Sequence, residues 1–296
     1  MAEKWTGKTT GTPFMQRFLV KILRTLDVRC IYMFMATWLP FYRIFRPRTA
    51  RVQYRYFREI LGYSAFKSWR YQWRNYYAFG QVIMDRFAAF AGRKFKFVIE
   101  NRHLFYDLVN EPKGFMVLSS HLGNFEMAGY ELATPDKRMN VVLYAGDTQT
   151  VMENRERLLA SHNIHLIALQ EDMSHVYQIN AALDKGEIVA MPADRRMTDG
   201  KTINVTILDH ECKLPAGPFA LAAARDEIVR VVFVVKDKWD TYHIYIEPLE
   251  MPVKGTVREK MQALANQYAA LFTTMAKRYP TQLFNYYDFW SDEVWL

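Results

Sequence analysis

The sequence predicts an α/β fold, with a central sheet flanked by helices and entered through amphipathic N-terminal helices. Three observations predict it. Beyond Gly92, short apolar runs of strand length alternate with helical stretches. One of those runs, Phe115–Ser119, is apolar almost throughout, as expected of a strand covered on both faces. Before Gly92, apolar residues recur at helical spacing with basic residues opposite them. At 296 residues, half of them hydrophobic, the chain is ample for a full core and is not a disordered one. No repeat, low-complexity tract or linker divides it. We therefore expect residues 1–92 as a basic, aromatic-rich helical region and residues 93–296 as one integrated α/β core.

Within residues 14–26, Phe14, Phe18, Leu19, Ile22, Leu23 and Leu26 cover one half of the helical wheel, and Arg17, Lys21 and Arg24 cluster on the other. That is the pattern of a helix lying in a bilayer interface, or of one packing on a core with a solvated basic rim. Residues 30–42 form an aromatic-rich apolar run. It falls short of the roughly 20 residues that span a bilayer, and Pro40 interrupts it. Arg43, Arg46, Arg48 and Arg51 follow, well placed for lipid phosphates. Residues 52–92 read as further helix with Tyr, Trp and Arg interleaved.

The charge is uneven. Residues 1–96 hold 19 Lys and Arg against 4 Asp and Glu, so within a chain of net charge +8 the remainder is acidic. A local anionic partner is implied. No helix-turn-helix, zinc-finger or RNA-recognition signature accompanies the charge, so a lipid surface fits better than nucleic acid. Residues 1–13 lack the apolar core of a signal peptide, and a position on the cytoplasmic side of a membrane is expected.

In the core, strands are expected at 95–100, Phe115–Ser119, Met139–Tyr144, Ile164–Leu169, 187–191, 203–208, 229–235 and 242–247. Helices are expected at 151–161, 174–185 and Val257–Arg278. Cys30 and Cys212 lie far apart and read as ordinary buried thiols of a reduced compartment. His162, His165 and His175 could be assembled into a metal site, but no cysteine or acid of standard spacing supports one.

Chemistry concentrates at Ser-Ser-His121-Leu-Gly-Asn-Phe-Glu126, directly after the central strand. Gly123 permits a tight turn, and Asn124 is placed to cap a helix opening at Phe125. His121 then sits in a loop at a strand's carboxyl end, where catalytic groups gather in such sheets. Among the seven histidines only His121 has an acid five positions on. Folded back by the turn, Glu126 is expected to take one ring nitrogen and leave the other to accept a proton from a hydroxyl. A purely structural histidine is the competing reading. Three further segments are of interest. Met191-Pro-Ala-Asp-Arg195 follows a strand and offers Asp194 and Arg195 to a ligand, or to an internal ion pair. Leu214-Pro-Ala-Gly-Pro218 leads into a helix, with Gly217 allowing close backbone approach. Arg157, on the 151–161 helix, is placed either for a phosphate or for solvent.

These blocks resemble the bacterial lipid A biosynthesis acyltransferases, the lauroyl and myristoyl transferases within the wider glycerol-phosphate acyltransferase group. His121 to Glu126 looks like their His-x4-Asp/Glu block. The stretch from Asp184 to Arg195 resembles their third block, and Leu214 to Pro218 their Pro-x-Gly-Pro block. The resemblance covers roughly residues 15–290. Two stretches depart from the family pattern, Asp194-Arg195-Arg196 and the C-terminal Leu-Phe-Asn-Tyr-Tyr-Asp-Phe-Trp290. The resemblance implies a mixed central sheet and transfer of a fatty acyl chain from an acyl carrier protein or CoA thioester to a lipid hydroxyl. The chemistry it implies calls for neither metal nor organic cofactor. It also implies a peripheral or monotopic position on the cytoplasmic face of the bacterial inner membrane. His121 would be the general base and Glu126 its orienter, with Asn124, Arg157, Asp194, Arg195 and Gly217 on the substrate side. An acidic carrier protein would suit the basic front end. Two readings from other classes stay open: a non-catalytic lipid-binding protein with this fold, and a serine-type lipid hydrolase using Ser119 or Ser120. The hydrolase lacks a Gly-x-Ser-x-Gly elbow.

Overall fold

The computed structural model describes residues 13–144, 163–170, 172–196, 200–286 and 289–290. The expected 151–161 helix, and Arg157 with it, lies outside the described residues. At the front, α1 (Pro13–Thr25) meets α2 (Val28–Phe45) at Asp27, whose side chain accepts the Arg29 N–H at 2.8 Å and caps α2. Contrary to expectation, α2 continues through Pro40. One backbone hydrogen bond is lost there, but packing holds the helix together, with Tyr32 buried and Tyr42 edge-on to Tyr76 at 5.5 Å. The stretch expected as one continuing helix is broken. It comprises α3 (Pro47–Arg55), a π-helical turn at Tyr56–Ile60 and then α4 (Ala65–Phe90). Gly62 makes the break at φ +64°, and Ser64 caps α4 by accepting the Lys67 N–H.

The apolar stripe of α1 is divided between two environments. Leu23 is fully buried with Val28, Tyr32 and Ala88, whereas Phe18 and Leu26 are exposed. On α2 the exposed residues include Met33, Phe34, Trp38, Phe41, Ile44 and Phe45. Among the described residues no helix is long and apolar enough to cross a membrane. Cys212 is buried as expected, but Cys30 is exposed on α2.

Among the described residues the core is a seven-stranded mixed sheet. Its strands are β1 (Lys96–Glu100), β2 (Phe115–Ser119), β3 (Met139–Tyr144), β4 (Ile164–Leu169), β5 (Ile188–Pro192), β8 (Val229–Lys238) and β9 (Thr241–Leu249). Their order is β1-β9-β8-β2-β5-β3-β4, parallel except for the β8–β9 hairpin. A separate hairpin, β6 (Thr202–Ile207) with β7 (His210–Pro215), turns on Leu208 and Asp209, both at positive φ. Between and after the strands come α5 (His103–Asn110), α6 (Ala128–Glu131), α7 (Ser174–Asp184), α8 (Gly217–Arg225) and α9 (Val257–Arg278). Neither β7 nor α5 stands out in the sequence; β7 is a half-exposed strand whose polar residues hide its period.

Side-chain alternation puts β2 at the centre of both cores. Met116 and Leu118 join the cluster that holds Phe219, Tyr268 and Phe272 from α8 and α9. Phe115 and Val117 join the opposite cluster with Phe105 and Val109 from α5. The end of β2 is therefore rigidly placed, which is what a site built there requires.

Candidate active site

β2 and β5 lie side by side and parallel, with Ser119 opposite Pro192. The Ala193 N–H donates to the Ser119 carbonyl at 2.9 Å and carries the pairing one step beyond the strands. His121 and Asp194 each follow that register point by two residues, and their side chains meet. His121 Nδ1 lies 2.9 Å from Asp194 Oδ1. Asp194 Oδ2 accepts the His121 backbone N–H at 2.8 Å and Asn285 Nδ2 at 3.0 Å. The carboxylate is wholly buried, while the His121 side chain keeps 19% of its surface and touches Phe125 edge-on. With Nδ1–H donated to Asp194, Nε2 is the basic nitrogen of the ring.

The carboxylate on Nδ1 is thus Asp194 and not the expected Glu126. The reason lies in the backbone between them. Gly123 N–H donates to the Gln282 carbonyl and Asn124 N–H to the Val234 carbonyl, each at 2.7 Å, so the loop is drawn across the middle of β8. A 3-10 turn, Phe125–Met127, follows in place of the expected helix start, and Glu126 pairs with Arg86 of α4 at 2.7 Å. Asn124 does not cap that turn. Its side chain is 2% exposed and donates to the Tyr242 hydroxyl at 3.2 Å. Gly123 has φ +78°, and a Cβ there would fall 1.9 Å from the Val234 carbonyl oxygen. Only glycine suits that position.

Electrostatics favour a neutral imidazole. Burial lowers the His121 pKa below its ordinary 6.5 and the Arg195 charge lowers it further, against the opposing pull of Asp194 and, more weakly, Glu126. Burial works to raise the Asp194 pKa, but His121, its backbone N–H and Arg195 outweigh it and hold the carboxyl below 3.8. A neutral base backed by an ionised acid is the arrangement of a base and its orienter.

The remaining candidates are spread out. Arg195 is partly buried beside the dyad, and its neighbour Arg196 is buried. Gly217 opens α8, and among the described residues a Cβ there would meet open space. That helix packs through Phe219 on Tyr268, whose hydroxyl donates to the Ser119 carbonyl at 2.9 Å. Ser119 and Ser120 are buried, and Ser120 Oγ accepts the Leu122 N–H. His165 bonds Asn140 and His175 accepts the Gln170 N–H; His162 lies outside the described residues. Asn285, not foreseen, is a further donor to Asp194. Its only signal in the sequence is its place in the unusual C-terminal Leu-Phe-Asn-Tyr-Tyr stretch.

Comparison with known proteins gives two findings. The family model described as "Bacterial lipid A biosynthesis acyltransferase" matches residues 74–285. Among solved structures, the chain is similar to the 1-acyl-sn-glycerophosphate (LPA) acyltransferase PlsC from Thermotoga maritima. That match has 14% identity and a TM-score of 0.38, and covers 89% of this chain and 98% of the other. No curated protein matches the chain.

Proposed function

The chain belongs to the bacterial lipid A biosynthesis acyltransferase family, and from that premise we propose that it moves a fatty acyl chain from an acyl thioester to a hydroxyl of a membrane lipid. His121 Nε2 takes the proton of the acceptor hydroxyl as its oxygen attacks the thioester carbonyl. The tetrahedral intermediate collapses, the thiolate of carrier protein or CoA leaves and takes the proton from the His121 imidazolium to become the thiol, and no acyl-enzyme forms. Asp194 holds the tautomer and stabilises the imidazolium, the role first expected of Glu126. Arg195 supplies positive charge near the developing oxyanion. Arg157, Asn124 and Gly217 stay on the substrate side of the proposal, with Asn124 acting through loop position, since its amide is bound to Tyr242. The observation that carries the reading is the 2.9 Å contact between a half-buried histidine and a fully buried aspartate at the ends of adjacent parallel strands.

The acceptor is a lipid A precursor, another glycolipid or a lysolipid, and the enzyme meets it at the cytoplasmic face of the bacterial inner membrane. Support comes from the exposed aromatic and aliphatic face of α2, with Arg43, Arg46, Arg48 and Arg51 beside it. Mass spectrometry of lipid extracts from cells expressing wild type or His121→Ala tests the reaction. A lipid that gains one acyl chain only with wild type is the expected result, and it names the acceptor. Matching extracts from two folded, equally expressed proteins would remove His121 as the base.

A further inference from the structure

Below the loop that carries His121 lies a buried polar cluster for which the proposed chemistry has no use. Asp85 of α4 is fully buried and accepts three donors: the Tyr32 hydroxyl from α2, the Tyr242 hydroxyl from β9 and the Lys236 ammonium from β8. Lys236 directs its other N–H groups to the Tyr32 oxygen at 3.2 Å and the Trp239 carbonyl at 3.0 Å. Tyr242 donates its proton to Asp85, so its oxygen is open to Asn124 Nδ2. Burial raises the Asp85 carboxyl and lowers the Lys236 ammonium from their ordinary values despite their pairing. Replacing such a pair with apolar groups of the same shape is often neutral or stabilising, so stability is a weak reason for its presence.

Its connections are more informative. At one end is Tyr32, on the helix whose other side carries the exposed Met33, Phe34, Trp38 and Phe41. At the other end is Asn124, between His121 and Glu126. Arg86, the next residue after Asp85, holds Glu126 itself. Consecutive residues of α4 therefore hold the loop at two points, and one of those points is shared with α2.

We propose that Asp85 is a positioning residue: through Tyr242 it fixes Asn124, and through Tyr32 it ties that setting to the seat of α2, so that loosening α2 loosens the loop carrying His121. A buried carboxylate that loses one of three donors turns towards those that remain, and Tyr242 and Asn124 move with it. The catalytic consequence rests on the acyltransferase reading; the coupling does not.

Tyr32→Phe is the mildest cut, since it removes one hydroxyl and keeps the ring, and Tyr242→Phe cuts beside the loop. Hydrogen exchange read by mass spectrometry on the full chain follows the protected Gly123 and Asn124 amides, with the β6–β7 hairpin as internal control. Several-fold faster exchange in the loop of Tyr32→Phe, with the hairpin unchanged, is expected. In turnover assays each single variant should lose on the order of tenfold in kcat with donor KM unchanged. The double variant should lose no more than Tyr242→Phe alone, because both substitutions cut one chain. Unchanged loop exchange in Tyr32→Phe, equal acceleration in loop and hairpin, or losses that multiply would each overturn the proposal. A folded wild type with no transferase activity would instead count against the acyltransferase reading, and the exchange result would still decide the coupling.

Discussion

To act as the proposed base His121 needs its proton off, and its surroundings favour that state. Its pKa lies below 6.5 through burial and Arg195, while Asp194 stays ionised to below 3.8. The acid limb of kcat/KM therefore belongs to His121 and should fall below pH 6.5. Activity is full above that limb and is lost as pH drops through it. Each neighbour moves the limb in a fixed direction. Arg195→Gln removes a charge that lowers the pKa, so the limb should rise; Asp194→Asn removes one that raises it, so the limb should fall. Asp194→Asn should also cost roughly 10³-fold or more in kcat, because the tautomer is no longer held. Glu126→Gln should cost far less, acting through Arg86. Equal losses in the two variants, measured by steady-state kinetics, would return Glu126 to the orienting role.

The H-x4-E loop is an element with almost no freedom. Its backbone is tied to Gln282, Val234 and Phe284, and Gly123 passes β8 closely enough to exclude any side chain. Gly123→Ala should destabilise the fold by about 1–3 kcal/mol from backbone strain alone, with the clash against the Val234 carbonyl added. Chemical denaturation measures the loss, and activity should go with it. A variant of wild-type stability and turnover would mean that the loop does not pass β8 as described. That the stretch forms a strand, a glycine turn and a loop carrying His121 is legible in the residues. Which acid the turn presents to His121 is not. The spacing between His121 and Glu126 is compatible with contact, but backbone bonds to β8 decide where the carboxylate goes.

On the scale of the whole molecule, charge and apolar surface are segregated. The excess of basic over acidic residues and most of the exposed aromatics share the front third of the chain, ahead of a body of net negative charge. A lipid surface would be held by both. Replacing Trp38 and Phe41 together with serine should weaken binding to anionic vesicles by about tenfold or more, given roughly 1.5–3 kcal/mol for each fully buried aromatic side chain. Salt at about 1 M, with a Debye length near 3 Å, should remove only the arginine contribution. Vesicle co-sedimentation separates the two. Binding abolished by salt and indifferent to the double substitution would leave the aromatic face without this role, and no binding by wild type would end the membrane proposal.

Sequence alone determined the α/β alternation, the central place of Phe115–Ser119 and the basic amphipathic front end. It also singled out His121 as the candidate base, and its combined motifs pointed to the acyltransferase family that the family match then established. All of these are local: periodicity, turn chemistry and charge within a few residues of one another. Tertiary structure alone decided that Asp194 meets His121 Nδ1, that Asn285 donates to Asp194, and that Glu126 and Asn124 face α4 and β9. The partner of His121 comes from a stretch 73 residues away in sequence. It arrives because β2 and β5 pair in parallel with Ser119 against Pro192, and no local signal in either strand specifies that register.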